Sequence, residues 1–255
     1  MFDLLLVIYG LIIGSFLNVL IYRLPLEQNF FSPIRSSCRS CKTKIKWYEN
    51  IPVFSYIFLK AKCSNCNEKI SIIYPIVEIL SAITTLLIIN KLAINSNAFI
   101  VLFLFYTLIV LAFIDIKYKA VPDYLLLLCL MTSIFIIDFS FTNALMFAGG
   151  FILLDFILTF YIQNIKSRIT KNDDLKTQTA LGEGDIPIVA IIGGLLGLKL
   201  AITAFFIAAI TAIFPSLYNM YKKNEIETPF IPFLLFGLFI TYIFDVQILN
   251  LIGKY

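Results

Sequence analysis

The sequence predicts an all-α polytopic membrane protein of about eight transmembrane helices, with a cysteine-rich, zinc-binding cytoplasmic loop between the first and the second. Three observations predict it. The 255 residues are 60% hydrophobic, with a mean hydropathy of +0.92, where soluble domains are about 45–50% apolar. Eight apolar runs punctuate the chain, to be measured against roughly 20 residues per spanning helix. The positive charge is gathered on alternate loops.

The first run, Leu4 to Tyr22, has no basic residue before it and no small-residue cleavage pattern after it. It therefore reads as a retained helix rather than a signal peptide. Gly10, Gly14 and Asn18 share one face of it, a small and polar stripe suited to helix–helix packing. Residues 23 to 71 form the largest polar segment and hold nine Lys/Arg, the only tryptophan (Trp47) and two Cys-x-x-Cys pairs. Seven more apolar runs follow: 72–89, 98–114, 124–137, 144–162, 186–198, 200–217 and 230–248. The run 186–198 is short and carries Gly193, Gly194 and Gly197, which suggests a tilted or partly re-entrant segment. The domain reading is a first helix over 1–22, a cytoplasmic zinc-binding loop over 23–71, and a seven-helix membrane domain over 72–255.

An even number of spans puts both termini on one side. With both on the non-cytoplasmic side, the inner loops 23–71, 115–123, 163–185 and 218–229 hold nine, two, four and two Lys/Arg, and the outside keeps three. That bias sets the orientation. It also accounts for the positive charge by topology rather than by nucleic-acid binding.

The chain has no histidine. Ser-His-Asp, Cys-His and His-Glu-x-x-His chemistries are excluded, and proton transfer falls to Asp, Glu, Lys, Tyr or Cys. The most informative acid is Asp185, in Leu181-Gly182-Glu183-Gly184-Asp185, directly before an apolar run. A carboxylate at a membrane edge is costly unless it has a function. Gly182 and Gly184 let the backbone bend tightly and an extended substrate approach. The charge count places Asp115 on the same membrane face, at the C-terminal end of the third span, where the helix dipole disfavours an anion. Asp123 follows Pro122 in the first turn of the next span, where an acid suits the dipole. Two carboxylates at one depth suggest an aspartic-protease dyad sharing a proton. Paired structural acids and a transport site are the alternatives. Asp155, inside the fifth span, and Glu78, in the second, are rival membrane acids. Asp155 reads as a proton-path acid or a hydrogen bond to a neighbouring helix. Glu78 could orient a substrate amine or a catalytic acid, or pair with a basic residue.

Cys38, Cys41, Cys63 and Cys66 form two Cys-x-x-Cys pairs, with 21 residues between them. Four thiolates at this spacing suit a tetrahedral structural Zn²⁺ stapling a loop too small for its own core, with a redox dithiol as the alternative. Cys129, in an apolar run, reads as packing.

On these motifs the chain resembles the bacterial type IV prepilin peptidases (leader peptidase/N-methyltransferases). Gly10-Leu11-Ile12-Ile13-Gly14-Ser15-Phe16-Leu17-Asn18-Val19 through Arg23-Leu24-Pro25 looks like the N-terminal signature. The cysteine pairs, Trp47 to Pro52, Tyr74 to Glu78, Asp115 to Asp123, and Gly182 to Asp185 follow in family order. The resemblance implies a GxGD-type aspartic membrane endopeptidase with Asp115 and Asp185 catalytic, in the bacterial inner membrane. It implies that prepilins and pilin-like proteins are cut after a glycine at the cytoplasmic face. It further implies that the new N-terminal amine is methylated from S-adenosylmethionine, an activity associated with the cysteine loop. The sequence departs from the family pattern in three places. Pro187 stands where a lysine is common, Ala61 where a glycine is common, and Asp155 where an apolar residue is expected. A proton-coupled transporter and a non-enzymatic assembly factor are the competing classes.

Overall fold

The computed structural model of the protein describes residues 2–26, 37–170, 173–177, 179–222 and 228–253. Arg35, Lys171, Lys223 and Lys254, counted above for orientation, lie outside them. The described residues are helical, with no strand longer than the isolated bridges Ser37–Lys44 and Lys62–Lys69. In chain order the helices are α1 (Phe2–Arg23), α2 (Phe54–Phe58), α3 (Ile73–Leu92), α4 (Ser96–Tyr118) and α5 (Asp123–Ile134). They continue with α6 (Phe141–Phe160), a π-helical turn (Tyr161–Lys166), α7 (Ser167–Thr170), α8 (Asp185–Lys222), α9 (Ile231–Ile243) and α10 (Asp245–Ile252).

All eight apolar runs are helical over most of their length. Five helical stretches among the described residues are long and apolar enough to cross a membrane, and α9 with α10, bent by 84°, makes a sixth. The difference from eight has two causes. Helix α5 has 12 residues, short of the roughly 20 a span needs. Runs 186–198 and 200–217 are merged in α8, which is interrupted at Gly197 with φ 69° and ψ 179°. Glycine takes that left-handed φ without steric cost. The break leaves the Gly194 carbonyl free to accept the Ser140 N–H at 2.9 Å.

The chain divides into two compact units, 1–118 and 119–255. In the first, the stripe on α1 lies against α3. A Cβ on Gly10 would stand 2.5 Å from the Ala82 Cα, and one on Gly14 2.6 Å from the Glu78 Cα, where carbon contacts are normally about 3.5–4.0 Å. The two helices therefore meet backbone to backbone, as the stripe predicts. Asn18 Nδ2 completes the seam by donating to the Tyr74 carbonyl at 3.1 Å and the Gly14 carbonyl at 3.2 Å. Helix α4 joins through the Thr85–Tyr106 hydroxyl pair, 2.6 Å apart, and buries Leu104, Phe105, Leu108 and Leu111. In the second unit α8 packs against α5, α6 and α9. Helix α6 buries only Ala144 and leaves Leu145, Leu153 and Phe156 exposed, as a lipid-facing helix does. Cys129 is buried and free, a packing residue.

Candidate active site and cysteine cluster

The four cysteines converge. Their sulfurs all lie within 4.8 Å of one another, and Cys38 Sγ stands 3.8 Å from Cys66 Sγ. Zn–S bonds of about 2.3 Å in a tetrahedron give sulfur–sulfur edges of about 3.8 Å, so the donor set fits a closed, structural metal site. The local backbone explains how. In the first pair the Cys38 N–H donates to the Thr43 carbonyl and the Lys42 N–H to the Cys38 carbonyl, at 2.9 and 3.0 Å. In the second the Cys63 N–H donates to the Glu68 carbonyl and the Asn67 N–H to the Cys63 carbonyl, at the same 2.9 and 3.0 Å. Lys42 and Asn67 both take a left-handed φ, 58° and 57°. The pairs are one turn used twice, each closed by its isolated bridge.

Thr43 ties the turns together. Its hydroxyl is 3.3 Å from Cys41 Sγ and accepts from Asn65 Nδ2 at 2.9 Å. Hydrogen bonds from the Thr43 side chain, then its backbone, then Asn65, draw the Cys41 thiol down to about 6. Backbone hydrogen bonds at Cys66 and Asn65 lower Cys63 as well. Against a lowering backbone hydrogen bond at Glu68, Cys66 moves the other way, up to about 12, as burial and hydrogen bonds to the other three sulfurs hold its proton; since the thiolate is the ligand, metal binding would displace that proton.

Two contacts fix this head to the first unit. Arg39, inside the first turn, stacks its guanidinium 3.7 Å from the Tyr22 ring centroid at the end of α1, a cation–π contact. The segment between the turns is held from below by Glu78. That carboxylate is buried and accepts the Val53 N–H at 2.7 Å. Val53 sits at φ 61°, ψ −50°, and the Phe54 N–H reaches the Pro52 carbonyl at 2.6 Å. This is the positive-φ γ-turn, rare and strained for a β-branched residue. Glu78 thus anchors a loop turn rather than pairing with a basic residue.

Helix α2 then ends in a double cap. The Lys60 N–H donates to the Ile57 carbonyl and the Ala61 N–H to the Tyr56 carbonyl, at 3.0 and 2.9 Å, the Schellman pattern. Lys60 and Ala61 both have positive φ, 49° and 57°. Ala61 therefore occupies backbone space that favours glycine, which explains why its position is a departure.

Asp115 and Asp185 are each buried, at 8% and 6% exposure. Asp115 lies in the last turn of α4, and Asp185 opens α8. The Asp185 N–H closes a turn onto the Gly182 carbonyl at 3.0 Å. A Cβ on Gly182 would come 3.3 Å from Asp185 Oδ2, and one on Gly184 2.9 Å from Val121 Cγ2. Both glycines sit at a close approach, Gly182 to the carboxylate and Gly184, more tightly, to the link before α5. Pro187 lies in the first turn of α8, where its missing N–H has no intrahelical partner to lose. Asp123 opens α5 behind Pro122 and is exposed, as the dipole argument expects.

Asp155 is not an isolated membrane acid. Its Oδ1 accepts the Leu181 N–H at 3.0 Å and the Thr159 hydroxyl at 3.3 Å, and the Thr159 hydroxyl accepts the Ala180 N–H at 3.0 Å. Sequence reasoning missed Thr159, Thr43 and Val53. Two were readable: Thr159 stands one helical turn from Asp155, and Thr43 follows a Cys-x-x-Cys pair. Val53 had no signal, because its strain exists only in the folded turn.

By class, then, this is a polytopic membrane protein with a four-cysteine cluster that could hold a metal ion in one unit and a glycine-flanked, buried carboxylate at a helix start in the other. Residues 8–92 match the family described as Bacterial Peptidase A24 N-terminal domain, and residues 102–217 match the Type IV leader peptidase family. Among curated proteins, the Prepilin leader peptidase/N-methyltransferase of Vibrio cholerae serotype O1 is 36% identical over 214 residues, 80% of this chain and 81% of the relative. The protein of the same name from Bacillus subtilis is 29% identical over 255 residues, 96% of each. That from Neisseria gonorrhoeae is 28% identical over 245 residues, 86% of this chain and 82% of the relative. No solved structure matches. The chain belongs to the type IV leader peptidase family.

Proposed function

We propose that this chain is a membrane aspartic endopeptidase that removes the leader of type IV prepilins and pilin-like proteins at the cytoplasmic face, and then methylates the new N-terminal amine. Family membership supports the reaction class and the substrate class. The observation that carries the mechanism is Asp185, buried against Gly182 at the start of an apolar helix, with Asp115 as the second buried acid.

In this mechanism one ionised carboxylate takes a proton from water as the water oxygen adds to the scissile carbonyl carbon. The other, protonated, gives its proton to the carbonyl oxygen. Collapse of the tetrahedral diol breaks the C–N bond: the departing amine takes a proton from the protonated carboxyl, and a diol hydroxyl gives its proton to the ionised carboxylate as the C=O re-forms. The pair ends with one proton between them, as it began, and needs neither a covalent intermediate nor a metal. Gly182 leaves the carboxylate reachable by an extended peptide.

Cys38, Cys41, Cys63 and Cys66 would hold a structural Zn²⁺, all four positions being filled by thiolate. Its part is to order the segment 23–71, the region that we associate with methyl transfer. S-adenosylmethionine would supply the methyl group, and among the described residues no side-chain set is assigned to it. The proposed orientation, with both termini on the non-cytoplasmic side, follows from the Lys/Arg bias.

Co-expression with a candidate pilin, read by mass spectrometry, tests the proposal. Loss of the leader marks the peptidase, and an added methyl on the new N-terminus marks the second activity. Unchanged pilin mass with the wild-type chain, or normal cleavage by Asp185→Asn, refutes it. A transporter reading is not favoured: Asp155, the mid-span acid it needs, is engaged by Leu181 and Thr159.

A further inference from the structure

We infer that Asp155 and Thr159 form a clamp that positions the loop bearing Asp185, so that Asp155 is a positioning residue for peptide cleavage and carries no proton in it. The inference rests on the proposed role of Asp185.

The loop that must be held is short and permissive. Gly182 and Gly184 flank Glu183 immediately before Asp185, and glycine restricts the backbone least. Its downstream end is anchored, because Asp185 begins α8. At its upstream end, residues 180 and 181 belong to no regular element. Two side chains of α6 supply the acceptors. Asp155 Oδ1 takes the Leu181 N–H at 3.0 Å, and the Thr159 hydroxyl takes the Ala180 N–H at 3.0 Å. The same hydroxyl donates to Asp155 Oδ1 at 3.3 Å. Both bonds to the loop therefore pass through one linked pair, spaced one helical turn apart so that both face the same way.

The relay has a direction. The threonine hydroxyl has one proton, and it goes to the carboxylate, which leaves its oxygen to accept from Ala180. A carboxylate oxygen can take both incoming bonds, and so can the carbonyl oxygen of an asparagine. An apolar residue at 155 offers none, and then both the loop N–H at 181 and the threonine proton lose their partner. Two residues beyond Thr159 the helix widens into the π-turn Tyr161–Lys166, a form that tends to appear at functional sites. The geometry gives a use for an acid that the family resemblance expects to be apolar: it locks the residue before Gly182, and with it the approach to Asp185.

A clamp and a proton carrier make opposite predictions for Asp155→Asn. The test uses the purified full-length chain in detergent, with a pilin-type peptide that has a basic leader, a Gly-Phe junction and an apolar helix. Asp155→Ala should lower kcat about 10- to 100-fold, the effect of misplacing a reacting group by an ångström, with KM within about threefold of wild type. Asp155→Asn should restore kcat to within about threefold, since it keeps the acceptor oxygen. Thr159→Val, which keeps the volume, should also lower kcat, with Thr159→Ser restoring it. The Asp155→Ala and Thr159→Val losses should be less than additive when combined.

Wild-type kcat in Asp155→Ala overturns the clamp. So does an asparagine variant as impaired as the alanine variant, which would mean the charge is needed. So does a loss confined to KM. If Asp155→Ala fails to insert, the Thr159 pair decides alone: equal kcat in Thr159→Val and wild type overturns the clamp. Asp185→Asn, run in parallel, separates the two readings. Cleavage by Asp185→Asn refutes the catalytic role itself, whereas a dead Asp185→Asn beside a fully active Asp155→Ala refutes only the clamp.

Discussion

Glu78 holds the loop turn at Val53 in a strained shape, and removing it should release that turn in a measurable way. Its carboxylate, 7% exposed, accepts the Val53 N–H at 2.7 Å. Val53 stands at φ 61°, ψ −50°, a conformation that costs on the order of 1–3 kcal/mol and persists only where neighbours enforce it. A hydrogen bond to a charged group contributes about 1.5–3 kcal/mol, enough to offset that strain. Glu78→Ala deletes the acceptor and leaves the strain to be relieved by opening. Local opening of residues 46–60 should become roughly 10- to 150-fold more populated, the factor that about 1.5–3 kcal/mol implies. Glu78→Gln keeps an acceptor oxygen of neutral strength, about 0.5–1.5 kcal/mol, and should fall between. Limited proteolysis of the chain in detergent reads this directly, because cleavage of a transiently open segment follows its population when reclosing is fast. The fragments should map to residues 46–60 and appear in the order alanine, glutamine, wild type. Equal rates for alanine and wild type would refute the anchor. A glutamine variant digested as fast as the alanine variant would show that a neutral acceptor at position 78 does not hold the turn.

Asp115→Asn and Asp185→Asn should each lose cleavage of a co-expressed pilin, by at least about a thousandfold for removal of an acid–base partner, while still inserting in the membrane; intact-mass analysis of the pilin checks this. Cys38→Ser or Cys63→Ser should bring bound zinc from one per chain towards none and expose the segment 37–72 to protease; metal analysis of purified protein would settle it, and full zinc in Cys63→Ser would refute four-thiolate ligation. Ala61→Gly should stabilise the loop by about 0.5–1 kcal/mol, the left-handed cost relieved less the entropy glycine adds, and slow the same proteolysis two- to fivefold; a faster digestion would count against the capping geometry.

Much of the protein was written in local sequence. Apolar runs specify helices because lipid forces every backbone group to find its partner within the segment, and all eight runs are helical. The face shared by Gly10, Gly14 and Asn18 identified a packing seam, since only small residues let two backbones approach. The paired Cys-x-x-Cys spacing identified a four-sulfur cluster able to hold a metal, because each pair closes its own turn within six residues. Gly182 and Asp185 were legible for the same reason: a turn and the helix it starts are local events. Only the tertiary structure decided the partners of the isolated acids. Glu78 was open to an amine, a catalytic acid or a basic residue, and it holds the N–H of Val53, 25 residues away. Asp155 read as a proton-path acid or a helix–helix contact, and it holds Leu181, 26 residues away. A carboxylate accepts from any donor brought within 3 Å, and sequence spacing does not say which loop the fold will bring. The strain at Val53 and the left-handed Ala61 were invisible for a related reason, since neither residue type favours the φ that its surroundings impose.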